Sequence, residues 1–365
     1  MFRTTVSVGH AMAQGYLAKR YAEEEQPPFL KLLDTAHLLV VLANIILFLP
    51  IFFIIWYTLP SVHVTLAAVE DPLPAYEPVP LDPQDDDAPK DPNDAAGGSH
   101  RNRPVTSSLR STNRVLKSVF GWRAIFLGFR YACVAGAVAF VALNFFDALP
   151  FVPFSIAHLL SMLAASPFTT VWVHAVIAAP TPGSEPAKSL RSRLRSYRKI
   201  YATTWFPIFL TWAATNAVIF SSRLLVRLIG LPSLDPNSPD FVDPEDRSLV
   251  PKSLCVSGVA LALYLLLVVP AQTVLQRVQA SLLPADEDTI VPFDRSFGGR
   301  LEPEVVGGQR FATFGAAFKT VPYASWVRIY LQRAKIFLVT AATYVLVGLL
   351  VALQFVLLQK IAGPA

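Results

Sequence analysis

Six stretches of this chain are apolar over lengths that match the hydrocarbon layer of a bilayer: Leu38–Leu59, Tyr131–Phe146, Ser155–Ala179, Tyr201–Ser222, Ser253–Gln276 and Ile336–Gln359. The second extends backward to Trp122 through Arg123 and Arg130. None carries Lys, Arg, Asp or Glu in its core, and at about 1.5 Å per residue roughly 20 such residues cross ~30 Å of hydrocarbon. The pattern predicts an all-α polytopic membrane bundle of six transmembrane helices. Composition agrees, because 53% hydrophobic residues with 16% charged is too apolar a balance for an ordinary soluble domain. Cys133 and Cys255 both fall inside spans, where they read as small packing residues.

A net charge of +5 would suggest nucleic acid in a soluble chain. Here the basic residues sit in loops and act as topology signals, so no nucleic-acid partner is expected. The loops after spans 1, 3 and 5 hold Arg110, Arg114 and Lys117, then Arg191 to Lys199, then Arg277 to Lys335, which makes theirs the positive side. Both termini then face away from the cytosol, or away from the matrix in a mitochondrial membrane. The expected organisation is an N-terminal arm over 1–35, span 1 over 36–60, a Pro- and Asp-rich disordered linker over 61–117, and a five-span membrane domain over 118–365. Within that domain the loop 278–334 lies on the positive side.

The linker is rich in Pro, Asp, Ser and Gly and too poor in apolar residues to offset its ordering entropy. Within it Leu73, Pro74 and Tyr76 form a Leu-Pro-Ala-Tyr run that is either a Pro-rich spacer or a ligand for a WW domain. A second Pro- and Gly-rich segment, Pro284–Gly308, overlaps Glu302–Phe318, which reads as a surface helix under the membrane.

An internal repeat is also visible. Pro167-Phe-Thr-Thr-Val-Trp172 in span 3 aligns with Pro270-Ala-Gln-Thr-Val-Leu275 in span 5, while Pro50 in span 1 shares the proline and a branched residue. These prolines lie 117 and 103 residues apart, and prolines at similar depth are expected to kink three helices toward one axis. The run Pro270-Ala-Gln-Thr-Val-Leu-Gln-Arg277-Val-Gln279 resembles the signature of mitochondrial carriers, Pro-x-Asp/Glu-x-x-Lys/Arg followed by a base. That resemblance implies three repeats of about a hundred residues, six helices in a pseudo-threefold ring around a cavity, and a mitochondrial membrane, with an endomembrane or the plasma membrane as alternatives. The chain is also similar to fungal six-span membrane proteins labelled ubiquitin carrier protein. With both cysteines inside spans, ubiquitin-conjugating chemistry has no residue to use.

The departures from the carrier pattern shape the functional expectation. Carrier signature acids and bases pair between odd helices and lock one side of the cavity; here the acid positions read Phe52, Thr169 and Gln272 and the basic ones Ile55, Trp172 and Leu275. A gate of aromatic packing from Phe52 and Trp172 lacks charge-coupled release, which favours a degenerate carrier acting as scaffold or receptor over a strict metabolite exchanger. Alternatives are a solute transporter lined by Arg130, Asn216, Gln272 and Arg277, and an adaptor recruiting a WW-domain ubiquitin ligase through Tyr76. Arg130 or Arg277 would attract a small anionic solute or an anionic lipid, or else snorkel to the interface. No phosphate-binding loop, metal motif or triad is present, so neither an enzyme nor a cofactor is expected.

Overall fold

The computed structural model describes residues 28–71, 104–180, 197–231, 248–284, 287–301 and 311–362. The arm before Pro28 and the motif at Leu73, Pro74 and Tyr76 lie outside the described residues. The described elements are helices: α1 Pro28–Phe53, α2 Val64–Val69, α3 Leu109–Phe120, α4 Phe129–Asp147, α5 Phe154–Ile177, α6 Tyr197–Ile229, α7 Leu249–Leu263, α8 Val269–Ser281, α9 Phe314–Lys319 and α10 Tyr323–Ala362. Six helical segments are long and apolar enough to cross a membrane, and the chain is an all-α multi-pass membrane protein. With no water in the hydrocarbon layer, helices satisfy their own backbone groups, and their outer faces carry Leu, Val, Ile and Phe for lipid.

The chain divides into two compact units. The smaller comprises residues up to 57 and from 336 onward. In it Asn44 Nδ2 donates to Gln354 Oε1 at 2.6 Å, and Phe52 packs on Tyr344 with ring centroids 5.6 Å apart.

The larger unit, 58–335, holds the remaining spans. Its most enclosed span is α5, of which 56% is buried, against 11–17% for the other spans. It packs on α4, α6, α8 and α2. Two polar contacts fix α5 on α6: Ser166 Oγ meets Thr204 Oγ1 at 2.6 Å, and Trp212 Nε1 donates to the Ser155 carbonyl at 2.7 Å. The ends of the odd spans, α2, α5 and α8, pack pairwise. Ala67, Val269 and Ile329 form one buried cluster where α2, α8 and α10 meet, and Val274 and Val278 form another with Phe297, Ala312 and Ala317.

Two spans widen beside a proline. A π-helical segment, Ile54–His63, joins α1 to α2, and another, Tyr264–Val268, joins α7 to α8. A helical proline lacks its N–H and its ring meets the carbonyl four residues earlier, so that turn must open. Those residues are Trp56 for Pro60 and Leu266 for Pro270, both inside the widened segments. The helix runs in α register through Pro50 and Pro167. Pro60 therefore has a local geometry like that of Pro270, whereas Pro50 and Pro167 leave the helix in α register. Pro60, Pro167 and Pro270 are spaced 107 and 103 residues apart, each followed four residues later by a buried valine: Val64, Val171 and Val274.

Two parts of the expected linker, at either end of it, are helical. The helix continues past Leu59 to Val69, because Ser61–Val69 is apolar enough to stay in the span, and Val105–Phe120 is helical as well. The helix α3 ends at Gly121, whose φ of +60° favours glycine. A short 3₁₀ segment, Gly121–Phe126, then leads to Gly128 at φ +71°. Trp122 is exposed and carries Lys117 5.6 Å above its ring, the composition of an interfacial helix. Of the surface helix expected over 302–318, the described part is α9, Phe314–Lys319, and it docks Ala317 into the core. Both cysteines are exposed on helix faces rather than packed inside.

Candidate functional site

The chemistry gathers where α2, α5 and α8 end on the positive side. There Glu70 and Asp71 follow α2 directly, and their carboxylates turn inward. Asp71 pairs with Arg277 of α8 at 2.8 Å, and Arg277 Nη1 also donates to the Ala68 carbonyl at 3.3 Å. Arg277 is only 1% exposed, and its guanidinium lies 5.8 Å from the Phe293 ring centroid and 5.4 Å from that of Phe297. Such stacking suits the weakly hydrated planar cation, and the carboxylate offsets its charge.

The second pair joins Glu70 to α10. Arg328 Nη1 donates to Glu70 Oε2 at 3.1 Å, and Nη2 to the Glu70 carbonyl at 2.5 Å and to Ser325 Oγ at 3.3 Å. Glu70, itself 1% exposed, also accepts the backbone N–H groups of Val105 and Thr106 and the Thr106 hydroxyl. One carboxylate thus ties the end of span 1, the return of the chain at Val105 and the start of span 6.

Neutral hydrogen bonds continue the network around the odd spans. Gln279 Nε2 donates to Thr169 Oγ1 at 3.1 Å, and the Gln279 carbonyl lies 2.9 Å from His174 Nε2, joining α8 to α5. Gln276 Nε2 donates to Thr65 Oγ1 at 3.2 Å, joining α8 to α2. Deeper in the membrane, Gln332 Nε2 donates to the His63 carbonyl at 3.1 Å. At the same depth on α10, Arg333 donates to Tyr264 Oη at 3.2 Å and to Gln272 Oε1 at 3.3 Å.

The loop 287–301 lies across this end. Ile290 N–H donates to the Ile177 carbonyl and Ala179 N–H to the Asp288 carbonyl, both at 2.8 Å, so the loop continues α5 as a short antiparallel bridge. Asp71 N–H donates to the Pro292 carbonyl at 2.8 Å, and Asp71 Oδ2 accepts the Asp294 N–H at 3.0 Å. Burial by itself would raise the Asp294 carboxyl. Hydrogen bonds from the Ser296 hydroxyl and from the Gly298 and Ser296 N–H groups, with the charge of Arg277, outweigh that and hold it below the usual carboxylate range. Phe297, at φ +50° and fully buried, is held in the left-handed region between Asp294 and two glycines of positive φ.

Three of the residues singled out from sequence belong to this network: Thr169, Gln272 and Arg277. The others do different work. Arg130 is exposed and folds over its neighbour, 4.6 Å from the Tyr131 ring with Nη2 donating to Tyr131 Oη at 2.8 Å, as a snorkelling residue does. Asn216 Nδ2 donates to the Trp212 carbonyl of its own helix at 2.9 Å. Trp172 stands by Gly128, where a Cβ would meet Val176 at 3.1 Å and Trp172 at 3.3 Å.

Two ion pairs form at this end that the sequence reading did not expect. The signature positions carry no ion pair, yet two buried pairs form beside them, from Glu70 and Asp71 at the α2 end and from Arg277 and Arg328. Sequence reasoning assigned Glu70 and Asp71 to the linker and counted Arg328 and Arg333 as loop charges. The signal that finds α10 is helical spacing: Ser325, Arg328, Gln332 and Ile336 recur at i, i+3, i+7 and i+11, and all four are buried. Among the described residues no cluster of His, Cys, Asp and Glu is arranged to hold a metal ion. No protein-family model and no curated protein matches the chain.

Proposed function

We propose that the protein is a non-enzymatic, gated membrane carrier whose positive end is held shut by the Asp71–Arg277 and Glu70–Arg328 pairs beneath the loop 287–301. The observation that supports this is the burial of both pairs between separate spans. A permanently packed end gains nothing from such pairs, since desolvation offsets most of their attraction and well-packed apolar residues hold helices equally well. Buried ion pairs are discrete: each is made or broken as a unit, which a two-state closure requires. Ionisable residues retained inside membrane spans mark solute pathways for the same reason.

The resemblance to mitochondrial carriers is consistent with this reading, with the lock displaced from the signature positions toward the helix ends, and it favours a mitochondrial membrane. A scaffold or receptor role is the competing reading, and it predicts an end that never opens.

Thiol accessibility separates the two. In a chain with Cys133 and Cys255 replaced by Ser, a single Thr273→Cys places the probe at a fully buried position of α8. Reconstituted and treated with a membrane-impermeant maleimide from the positive side, the closed protein labels slowly, and the Glu70→Gln, Asp71→Asn variant labels at least ~10-fold faster. A charge-swapped Asp71→Arg, Arg277→Asp chain with Glu70 intact restores protection, which distinguishes opening from unfolding. Equal labelling of all three, in proteins that elute as folded monodisperse particles, would overturn the carrier reading.

A further inference from the structure

The two ion pairs account for two buried arginines, Arg277 and Arg328, and a third, partly buried arginine has no such partner. Arg333 lies on α10 five residues beyond Arg328, about 7.5 Å deeper at the helical rise. Its guanidinium reaches Tyr264 Oη at 3.2 Å and Gln272 Oε1 at 3.3 Å, both neutral and both at the long end of hydrogen bonding. Its Nε is buried without a hydrogen-bond partner. Among the described residues no carboxylate pairs with it, the nearby acids Glu70 and Asp71 being engaged by Arg328 and Arg277.

An arginine stays protonated at every accessible pH, so the charge cannot be discharged by losing a proton. A partly buried cation with no carboxylate partner in the membrane interior is unfavourable unless something brings the opposite charge. Other buried polar atoms on the same helices also lack partners: Gln276 Oε1, one turn along α8 from Gln272, Gln332 Oε1 beside Arg333 in the α10 sequence, and His63 Nδ1 at the end of the π-helical segment before α2. The three helices meet directly at Ala67, Val269 and Ile329, so these groups belong to one interhelical interior. Incomplete hydrogen bonding on three facing elements is what a ligand would complete.

We propose that Arg333, with Tyr264 and Gln272, is the binding centre for a small anion bearing a carboxylate or phosphate group, held by the guanidinium fork. This rests on the carrier reading and names its solute class. The planar fork matches a two-oxygen acceptor, and the Gln272 amide and Tyr264 hydroxyl are placed to share the same oxygens once Arg333 turns toward them. The anion would supply, reversibly, the negative charge that the fold withholds.

The test uses the purified full chain in neutral detergent with acetate, malonate or inorganic phosphate as probes, choline and glycerol as controls, and parallel vesicles of neutral or phosphatidylglycerol-containing lipid. At least one free anion raises Tm by about 3 °C or more in the native protein, and the controls do not. Arg333→Gln abolishes that rise. Gln272→Glu installs the missing carboxylate: it raises Tm without added solute and abolishes the anion response, which a merely structural role for Gln272 would not produce. If only the anionic lipid stabilises, and does so through Arg333, the site stands with a headgroup as its source. A native protein indifferent to every anion, an undiminished response in Arg333→Gln, or a Gln272→Glu chain that is less stable yet still anion-responsive would overturn the proposal. Thiol protection at Thr273→Cys reads the closure separately, so a failed anion site with an intact closure sinks this inference alone.

Discussion

Arg277 and Asp71 show how much of the closed end depends on single atoms. Removing one partner of a buried pair leaves an uncompensated charge, so Asp71→Asn is expected to lower stability by about 3–5 kcal/mol in denaturant titrations, while Asp71→Asn with Arg277→Met recovers most of it. At Gly128 the backbone is left-handed and the space above Cα is filled by Val176 and Trp172. Gly128→Ala combines strain with a clash and should cost more than about 1 kcal/mol, read as a lower Tm, whereas the same change at Gly136, which has open space around it, should not. Asp294 carries a pH dependence of definite sign. Its carboxyl is depressed in the folded chain, so its support of the turn is complete above the ordinary carboxylate pKa of about 4 and is lost as pH falls through the lower folded value. Amide exchange at Ser296 and Gly298 should therefore quicken only in that acidic range, and Asp294→Asn should remove the dependence. None of these three residues stood out in the sequence. Asp71 adjoins a stretch whose composition is that of a disordered linker, and what makes Gly128 and Asp294 special is a backbone angle and a set of neighbours.

At the scale of the helix, the prolines of the odd spans were legible in the sequence, but which of them opens its turn was not. Pro167 and Pro270 share Thr-Val at the same offset, and both of those valines are buried, while Pro50 is the more conspicuous proline of span 1 because it stands in its most apolar stretch. Pro60, by contrast, is followed by the residues of span 1 that enter the core, Val64 to Val69. Val64→Ala, Val171→Ala and Val274→Ala should each destabilise by about 1–3 kcal/mol in thermal or denaturant unfolding, and Val259→Ala on an exposed face of α7 by little. The polar face of α10 was readable by its spacing. It was obscured because a charge near a span boundary is normally a topology marker, and Arg328 and Arg333 sit where both meanings apply.

For the whole molecule, the membrane class and the six spans followed from hydropathy alone, because the thickness of hydrocarbon imposes a length that few soluble helices imitate. The site did not follow, because its members come from segments far apart in sequence that only folding brings together. One arrangement at that site reaches beyond the bilayer. Glu70, the residue that leaves the first span, accepts the backbone N–H groups of Val105 and Thr106, so the described residues on either side of 72–103 are held at a single anchor. The entropy of closing the chain between them changes by only about 0.6 kcal/mol for each doubling of its length. A fluorescent protein spliced in near residue 90 should therefore leave the Tm of the embedded helices within about 1 °C of its native value.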